Sequence, residues 1–323
     1  MKYLILTILV LQMNNLASLD QQVHAQDAKV QVANLSHDDN AGFKSIQEEF
    51  RARNPGYDLN YLSNAQKVGP QDYTQVIFVQ GIGGVTNQDV EGNATITSSS
   101  GHQKESKAIV GDILVLQQGE KMQADVEMGL LVFDVPDGPE NELPSFIRPD
   151  WDPNITDVMG GCATEIDAYR RILLTWKEDV GEYIYHALNA HRVRIRDSFS
   201  HYHPVEGGFD EFYLVQLTEP GAKLITSEKT ELIINPDKIN KSQVNGLMQE
   251  YEVEVGDLIY LPRGVVHRGF GGVMAQVITV PGFIPGSELG VDHHLRSINE
   301  RLGLNDDEAL PYNLEASTSA VIR

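Results

Sequence analysis

The apolar residues of this chain are concentrated in short runs separated by glycine, asparagine and proline. Runs rich in Val, Ile, Thr and aromatic residues occupy 74–79, 94–97, 108–116 and 212–215. β-branched and aromatic side chains suit pleated backbone, and closely spaced turn residues are typical of antiparallel neighbours. The pattern predicts an all-β protein.

Two segments have helical spacing instead. Residues 45–51 form one short helix candidate in an otherwise polar lead-in. A second helix is predicted near the end of the chain, where apolar residues recur at helical spacing before a glycine stop: Val291, Leu295, Ile298, Leu302 and Gly303. His293 and His294 also lie there, but adjacent helical positions point in different directions, so we do not expect a metal site at this pair.

The first residues have the order of a secretory signal peptide. Met1 and Lys2 precede an apolar run at 3–13 that is too short to span a membrane, and Ala25 offers a small residue for cleavage before Gln26. We therefore expect residues 1–25 to be removed and the protein to be secreted or periplasmic.

Charge and cysteine content narrow the range of partners. The 323-residue chain has a formal net charge of -21, which disfavours binding to nucleic acid and to anionic membranes. Its one cysteine, Cys162, cannot form an intramolecular disulfide, so a core drawn from the 41% of hydrophobic residues must hold the fold. We expect a small-molecule substrate, no nucleic acid, and no membrane contact after signal cleavage. Formation of a homo-oligomer stays open.

An internal repeat defines the domains. Residues 111–119 and 256–264 share a Gly-Asp start and an apolar run at an offset of 145, and the register persists through 135–136 and 280–281. A shared register of this length indicates two copies of one unit. The predicted division is: signal peptide 1–25, N-terminal arm 26–64, first unit 65–137, linker 138–164, second unit 165–285 and C-terminal helical tail 286–323.

The second unit contains a candidate metal site. His201 and His203 are two residues apart, so on a strand their side chains point to the same side. His267 and a carboxylate would complete a set of three nitrogens and one oxygen, with positions left open for water or substrate.

Three carboxylates compete for the last ligand position. Glu211 is preferred because it directly precedes the strand-like run 212–215, whereas Glu206 adjoins two glycines that favour a turn. Asp210 remains a further alternative.

The second half of this stretch resembles a motif of the cupin superfamily. Gly256, Pro262, Gly264 and His267 match the pattern Gly-x5-Pro-x-Gly-x2-His, although Gly271 replaces the usual closing asparagine.

The first half resembles the other cupin motif less closely. Its His-x-His is present, but Glu211 follows after seven residues instead of three or four, and Ile195 stands where a glycine is usual. A loop of about three extra residues explains the longer spacing. The resemblance implies a bicupin: two double-stranded β-helix (jelly-roll) barrels with a few peripheral helices. It also implies one divalent transition metal, with iron or manganese favoured and nickel, copper or zinc as alternatives.

The first copy lacks these ligands. At the 145-residue offset, Met122 takes the place of His267 and Gln117 that of Pro262, and no His-x-His precedes the run 75–80 that matches 211–216. Methionine is a poor ligand for such metals and a good filler of apolar gaps. We expect the first barrel to be structural, or at most to hold an organic ligand.

Residues near the motifs are candidates for the wall of a pocket. They are Tyr202, Tyr213, Tyr260, Arg263 and Gln276. Isolated histidines such as His186 and His191 are more typical of surface or hydrogen-bonded core positions. Arg192, Arg194 and Arg196 have the opposite parity to His201, which predicts a solvated or inter-barrel face for them.

These features predict an exported, metal-dependent bicupin. The first hypothesis is an enzyme of oxygenase type acting on a small phenolic or enolic substrate. Alternatives are a non-redox metal-dependent lyase or isomerase on a sugar acid, and a non-catalytic sugar- or metal-binding protein. The sequence assigns no catalytic residue.

Overall fold

The computed structural model describes residues 28–36, 41–86, 89–136, 143–148, 170–181 and 183–323. The predicted signal peptide, Cys162 and most of the predicted linker lie outside these residues. Among the helices of the described ranges, none is both long and apolar enough to cross a membrane.

Strands dominate both halves of the described chain, as the sequence predicts. Strand β1 (Gln31–Asn34) and helix α1 (Ala41–Arg53) come first. The strands of the first sheet follow: β2 (Asp58–Val68), β3 (Thr74–Ile82), β4 (Glu91–Thr97), β5 (Gln103–Ile109), β6 (Ile113–Leu116), β7 (Lys121–Val135) and β8 (Phe146–Ile147). Their order is β5-β4-β7-β3-β6-β8, and β2 also pairs with β7.

The second half builds a larger sheet. Its strands are β9 (Arg170–Leu174), β10 (Asn189–Asp197), β11 (His201–Tyr202), β12 (Asp210–Thr218), β13 (Lys223–Ser227), β14 (Gln249–Glu252), β15 (Asp257–Leu261), β16 (Val266–Val280) and β17 (Leu289–Gly290). Its helices are α2 (Thr230–Ile233), α3 (Lys241–Val244) and α4 (Asp292–Leu302). Along the main path the order is β1-β15-β12-β16-β10-β9.

One long strand serves two walls of the second barrel. β16 pairs through 266–270 with β13, and through 273–280 with β10 and β12. The change of partner falls at Gly271, whose φ is +78° and where a Cβ would lie 2.3 Å from the carbonyl oxygen of Gly221. This geometry explains why glycine replaces the usual asparagine of the motif.

The internal repeat is visible in the strands. β7 and β16 both have 15 residues, and β16 starts and ends 145 positions after β7 (121 to 266, and 135 to 280). The amides of Gly111 and Gly256 donate to carbonyls in β3 and β12 respectively. The carboxylates of Asp112 and Asp257 each accept a hydrogen bond from the amide three residues earlier. Gly111 and Gly256 therefore occupy equivalent positions, as the repeat predicts.

Helix α1 packs between the two barrels. It buries Phe43, Ile46 and Phe50. The Phe50 ring centroid lies 5.9 Å from that of Phe133 in the first barrel and 5.3 Å from that of Phe212 in the second. The helix is longer than the predicted 45–51, and it is part of the shared core rather than a polar lead-in.

The sheet boundaries differ from the predicted divisions. β2 begins at Asp58, inside the predicted arm. Its outer side is solvated, so its sequence is largely polar and does not indicate a strand. β1 pairs with β15, so the start of that arm belongs to the second sheet. β8 falls in the predicted linker and β17 in the predicted tail, since strands of two residues leave no periodic pattern to read.

The interior of the first barrel is a packed apolar core. Met122, at the position equivalent to His267, is 1% exposed and lies in a cluster with Ile77, Ile96 and Leu130. Its side chain fills space where the second copy has a ligand.

Met122→Ala is expected to lower the free energy of unfolding by about 2–5 kcal/mol, because it removes a fully buried side chain and leaves a cavity. Urea denaturation monitored by circular dichroism measures the change. Gln123→Ala is the matched control, since the neighbouring side chain is exposed. A loss for Met122→Ala no larger than that of the control would contradict the packing role.

Candidate metal centre

Four buried side chains converge inside the second barrel. His201 lies in β11, His203 directly after it, Glu211 in β12 and His267 in β16. One ligand atom from each lies within 4.8 Å of the others. The carboxylate of Glu211 reaches both walls: Oε2 is 3.6 Å from His203 Nε2, and Oε1 is 3.5 Å from His267 Nε2.

Strand pairing and one turn hold the three imidazoles in place. His201 is directly opposite His267 in the pairing of β11 with β16, so both side chains face the same side. The amide of Gly264, in the Pro-Gly turn before β16, donates to the carbonyl of His203 over 2.8 Å. The Pro-Gly turn of the second motif is therefore hydrogen-bonded to the His-x-His segment of the first.

The C-terminal segment supports the same strand from outside. Gly290 in β17 pairs with His201. The carboxylate of Asp292 accepts hydrogen bonds from the amides of Ser200 and Asn313, which ties the residue before the His-x-His to the tail.

Hydrogen bonds and burial prepare the imidazoles as ligands. Nδ1 of His201 lies 3.2 Å from the carbonyl of Phe199, and Nδ1 of His267 lies 3.2 Å from that of Val265. A carbonyl can only accept, so Nδ1 carries the proton and Nε2 presents its lone pair. Burial, reinforced by neighbouring imidazoles, holds the pKa of His201 and of His203 well below the usual value, which favours the neutral form that binds metals.

The donor atoms fit a divalent ion. Nε2 of His201, His203 and His267 and Oε1 of Glu211 are buried and have no hydrogen-bond partner within the described structure. Orphaned buried polar atoms are rare, and four of them pointing at one space indicate a ligand. The donor atoms lie within 4.8 Å of one another, so small side-chain movements would bring all four to the roughly 2.1 Å at which one ion is bound. Three imidazole nitrogens and one carboxylate suit iron, manganese, nickel, copper or zinc.

The carboxylate at this site is Glu211, as preferred from the sequence. Asp210 points to the other side of β12, where it accepts hydrogen bonds from Asn54, Tyr260 and Arg263. Glu206 is exposed on the loop between His203 and Glu211. The extra residues are accommodated in this loop.

Aromatic rings line the imidazoles. Phe199 stacks on His201 with ring centroids 4.5 Å apart, and Phe209 lies 3.9 Å from His203. Tyr213 meets His267 edge to face at 6.3 Å.

The aromatic contacts continue outward from Phe209. Its ring centroid is 5.5 Å from that of Phe283, which stacks on the half-buried Trp176 at 4.1 Å. Rings therefore extend from the donor atoms towards the surface on one side of the site.

Comparison with known proteins gives distant structural similarities only. No family model matches the chain, and no curated protein matches it. Among solved structures, an oxalate decarboxylase mutant from Bacillus subtilis is 11% identical, with 84% of this chain and 78% of that chain covered and a TM-score of 0.45. The oxalate decarboxylase formate complex from Lactobacillus farciminis is 13% identical, with coverages of 80% and 84% and a TM-score of 0.42. A DUF861-family protein of unknown function from Pseudomonas syringae pv. tomato is 12% identical, with coverages of 70% and 82% and a TM-score of 0.40.

These similarities are too low to bear on substrate or reaction. The two antiparallel barrels, the repeat and the converging motif residues stand on their own geometry. The fold is two antiparallel barrels built from one repeated unit, the architecture expected from the resemblance to bicupins. Its second barrel carries a site suited to a divalent metal ion.

One of the five predicted pocket residues, Tyr213, faces this site. Tyr260 lies on the outer side of β15, where its hydroxyl donates to Asp210 and its ring stacks on Phe212 at 4.8 Å. Tyr202 alternates with the two histidines and packs on the apolar cluster around α4. Alternation along each strand sends both of these tyrosines away from the metal ligands.

Arg263 and Gln276 also lie outside the site. Arg263 donates to Asp210 and to the carbonyl of Arg53, so it fastens α1 to the second barrel. Gln276 donates to the carbonyl of Gly111 in the first barrel, 2.7 Å away.

Arg192 of β10 faces away from the metal side of the sheet. Arg192 is 3% exposed and approaches Gly111 in the first barrel. This position agrees with the predicted inter-barrel face.

His191 and Thr279 lie on the metal side of the sheet. The sequence did not lead us to predict this position for either residue. His191 is opposite Val277, which is itself opposite Tyr213. Thr279 is directly opposite Glu211. Extending the parity of Val193 back by two residues would have placed His191 on the inner face.

The first barrel has no comparable group among the residues that the structure describes. Gln75, which pairs with Leu116 as Glu211 pairs with Leu261, donates instead to Asp134. Carboxylate and imidazole are thus replaced by amide and thioether at equivalent places in the bicupin.

Proposed function

We propose that this bicupin is an exported metal-dependent enzyme of oxygenase type that acts on a small phenolic or enolic substrate. The observation that carries the proposal is a set of three imidazoles and one carboxylate whose orphaned donor atoms are buried under aromatic rings. Iron and manganese are the first metals to test.

The aromatic wall supports the choice of substrate. Phe199 and Phe209 cover the imidazoles and exclude water from the donor atoms. A dry site strengthens electrostatic interactions and protects reactive species from hydrolysis. Ring faces also pack favourably against planar molecules, which is consistent with a phenol or an enol.

The arginines beside the second motif are already paired. Arg263 and Arg268 flank this motif, and each is bound to an aspartate: Arg263 to Asp210 and Arg268 to Asp197. A carboxylate substrate would therefore bind through the metal ion, without either arginine as a second partner. A phenol or an enol requires no such partner.

The roles of the chain follow from this geometry. His201, His203, His267 and Glu211 would hold the ion, and their Nδ1 hydrogen bonds and strand pairings fix its position. When bound, such an ion supplies Lewis acidity and, if redox-active, one-electron chemistry. Tyr213 lies edge to face beside His267 and would contact a molecule bound at the ion.

Export is part of the proposal and rests on the sequence of residues 1–25 alone. Mass spectrometry of protein produced with its full leader is expected to find a mature chain that begins at Gln26. Protein retaining Met1 would remove export from the proposal.

Oxygen uptake tests the reaction type. Protein loaded with iron or manganese is expected to consume dioxygen in step with the loss of a phenol or enol from a panel that also contains uronates and sugars. Chelation should abolish the uptake, and readdition of metal should restore it. Turnover without oxygen uptake would replace the proposal with a lyase or isomerase, and binding without turnover would replace it with a binding protein.

A further inference from the structure

Two polar side chains on the inner face of the second barrel have no part in holding the metal. They are Thr279 in β16 and His191 in β10, and they are 1% and 5% exposed. Both lie on the wall that carries Glu211, opposite the wall that carries the histidine ligands.

Thr279 is fixed beside the ligand carboxylate. It pairs directly with Glu211, and residues directly opposite in an antiparallel pair have Cβ atoms about 4.5–5.5 Å apart on the same face. Its hydroxyl is buried with no hydrogen-bond partner in the described structure. A buried hydroxyl without a partner is unfavourable, which indicates that a bound molecule completes it.

His191 is diagonal to Thr279, on β10, which pairs with the opposite edge of β16 from β12. It pairs with Val277, and β10 keeps an unbroken register with β16 from Asn189 to Ile195. Diagonal neighbours across such a pair are about 7–8 Å apart, which places His191 within reach of a molecule that also touches Thr279. Val193 and Ile195, on the same side of β10, belong to the interior core of this barrel.

The three side chains form a bent row across the inner wall: Glu211 is directly opposite Thr279, and His191 is diagonal to Thr279, whose direct partner on β10 is Asn189. Glu211, Thr279 and His191 come from β12, β16 and β10, which are adjacent strands. The row starts at the metal ligands and ends at an imidazole outside them. A small molecule bound at the metal side by one polar group could therefore reach this row with a second.

We propose that Thr279 and His191 form a second binding point that takes the second oxygen of a small, planar substrate with two oxygen functions, such as a dihydroxyaromatic or an ene-diol. This inference rests on the proposed function and narrows its substrate class. A hydroxyl and an imidazole can both donate and accept hydrogen bonds, so they recognise a neutral oxygen without a fixed charge. That chemistry agrees with the bound state of Arg263 and Arg268.

Ligand binding to cobalt(II)-substituted protein tests the inference without requiring turnover. The visible spectrum of the cobalt centre reports binding of phenol and of its dihydroxy analogues catechol and resorcinol. Wild-type protein should bind one dihydroxy analogue at least about tenfold more tightly than phenol, as expected for an added hydrogen bond in a buried site. Thr279→Val and His191→Phe should each remove most of this preference and leave the affinity for phenol and the cobalt content unchanged.

Conservative variants keep the test decisive if either replacement unfolds the protein. Thr279→Ser retains the hydroxyl and should keep the preference, and His191→Asn retains a hydrogen-bonding group and should keep part of it. His186→Phe is the control, because that ring is exposed and lies beside the carbonyl of Trp176.

Two failures are distinguishable. Unchanged preference in Thr279→Val and His191→Phe, with full cobalt content, would overturn the second binding point and leave the metal site intact. If Thr279→Ser loses as much of the preference for the dihydroxy analogue as Thr279→Val does, the second binding point is also overturned. Packing, and not the hydroxyl, would then be responsible for the preference. Absence of any phenol binding to cobalt-loaded wild-type protein would instead remove the proposed function.

Discussion

His267→Ala is expected to abolish metal binding and turnover together. His267 supplies one of four donor atoms. Its Nε2 lies 3.5 Å from Oε1 of Glu211, so alanine also removes the imidazole beside that carboxylate. Groups that merely orient a ligand are worth about 10- to 100-fold in metal affinity, and loss of a ligand should exceed that range. The metal content measured by elemental analysis after dialysis should fall from one ion per chain to background.

Met122→Ala is the matched control for this experiment. Met122 occupies the equivalent position of the first copy and is buried in an apolar cluster. The variant should lose stability while keeping its metal content and its turnover. Full metal content in His267→Ala would mean that the ion site is misplaced. Loss of turnover in folded, fully metallated Met122→Ala would show that the first barrel contributes to the reaction.

The repeat made much of the fold accessible from sequence. Gly111 and Gly256 begin turns in which an aspartate accepts from a backbone amide three residues back, and that requirement preserves the Gly-Asp pair in both copies. The strands that follow keep their length because each serves two walls of a barrel. A constant register therefore records a constant structure.

The four converging side chains were accessible from the sequence for a similar local reason. His201 and His203 share a face by alternation, and Glu211 could be chosen because it directly precedes a strand-like apolar run, while Glu206 lies next to two glycines. Each of these choices depends on neighbours within a few positions.

Contacts between the barrels could not be predicted in the same way. Tyr260 and Gln276 are on strands with both faces buried, so their apolar surroundings do not show which face meets the metal and which meets the other barrel. Helix α1 is an extreme case, because Phe50 is buried through contacts with Phe133 and Phe212, which are distant in sequence from one another.

The polar residues of the inner wall were missed because no motif contains them. His191 and Thr279 reach the metal side through register with β16 and β12, and register is a property of the assembled sheet. An isolated histidine in a sequence has no such partner to indicate its face.

Asp210→Ala is expected to lower the free energy of unfolding by about 3–5 kcal/mol, the usual result of removing one partner from a buried ion pair. Asp210 is fully buried, accepts hydrogen bonds from Asn54, Tyr260 and Arg263, and lies 3.7 Å from Arg53. Alanine would leave two arginines without their carboxylate at the junction of α1 and the second barrel. Urea denaturation at neutral pH measures the loss.

The control for Asp210→Ala is Glu300→Ala, which breaks a pair with Arg296 that lies in solvent. Screening by water should make this change nearly silent. Asp210→Asn keeps the shape and part of the hydrogen bonding and should fall between the two. Because Asp210 begins the strand on which Glu211 is the next residue, Asp210→Ala should also weaken metal binding, whereas Glu300→Ala should not. Equal stability of Asp210→Ala and Glu300→Ala would show that the junction is held by the apolar contacts of Phe50 and not by this carboxylate.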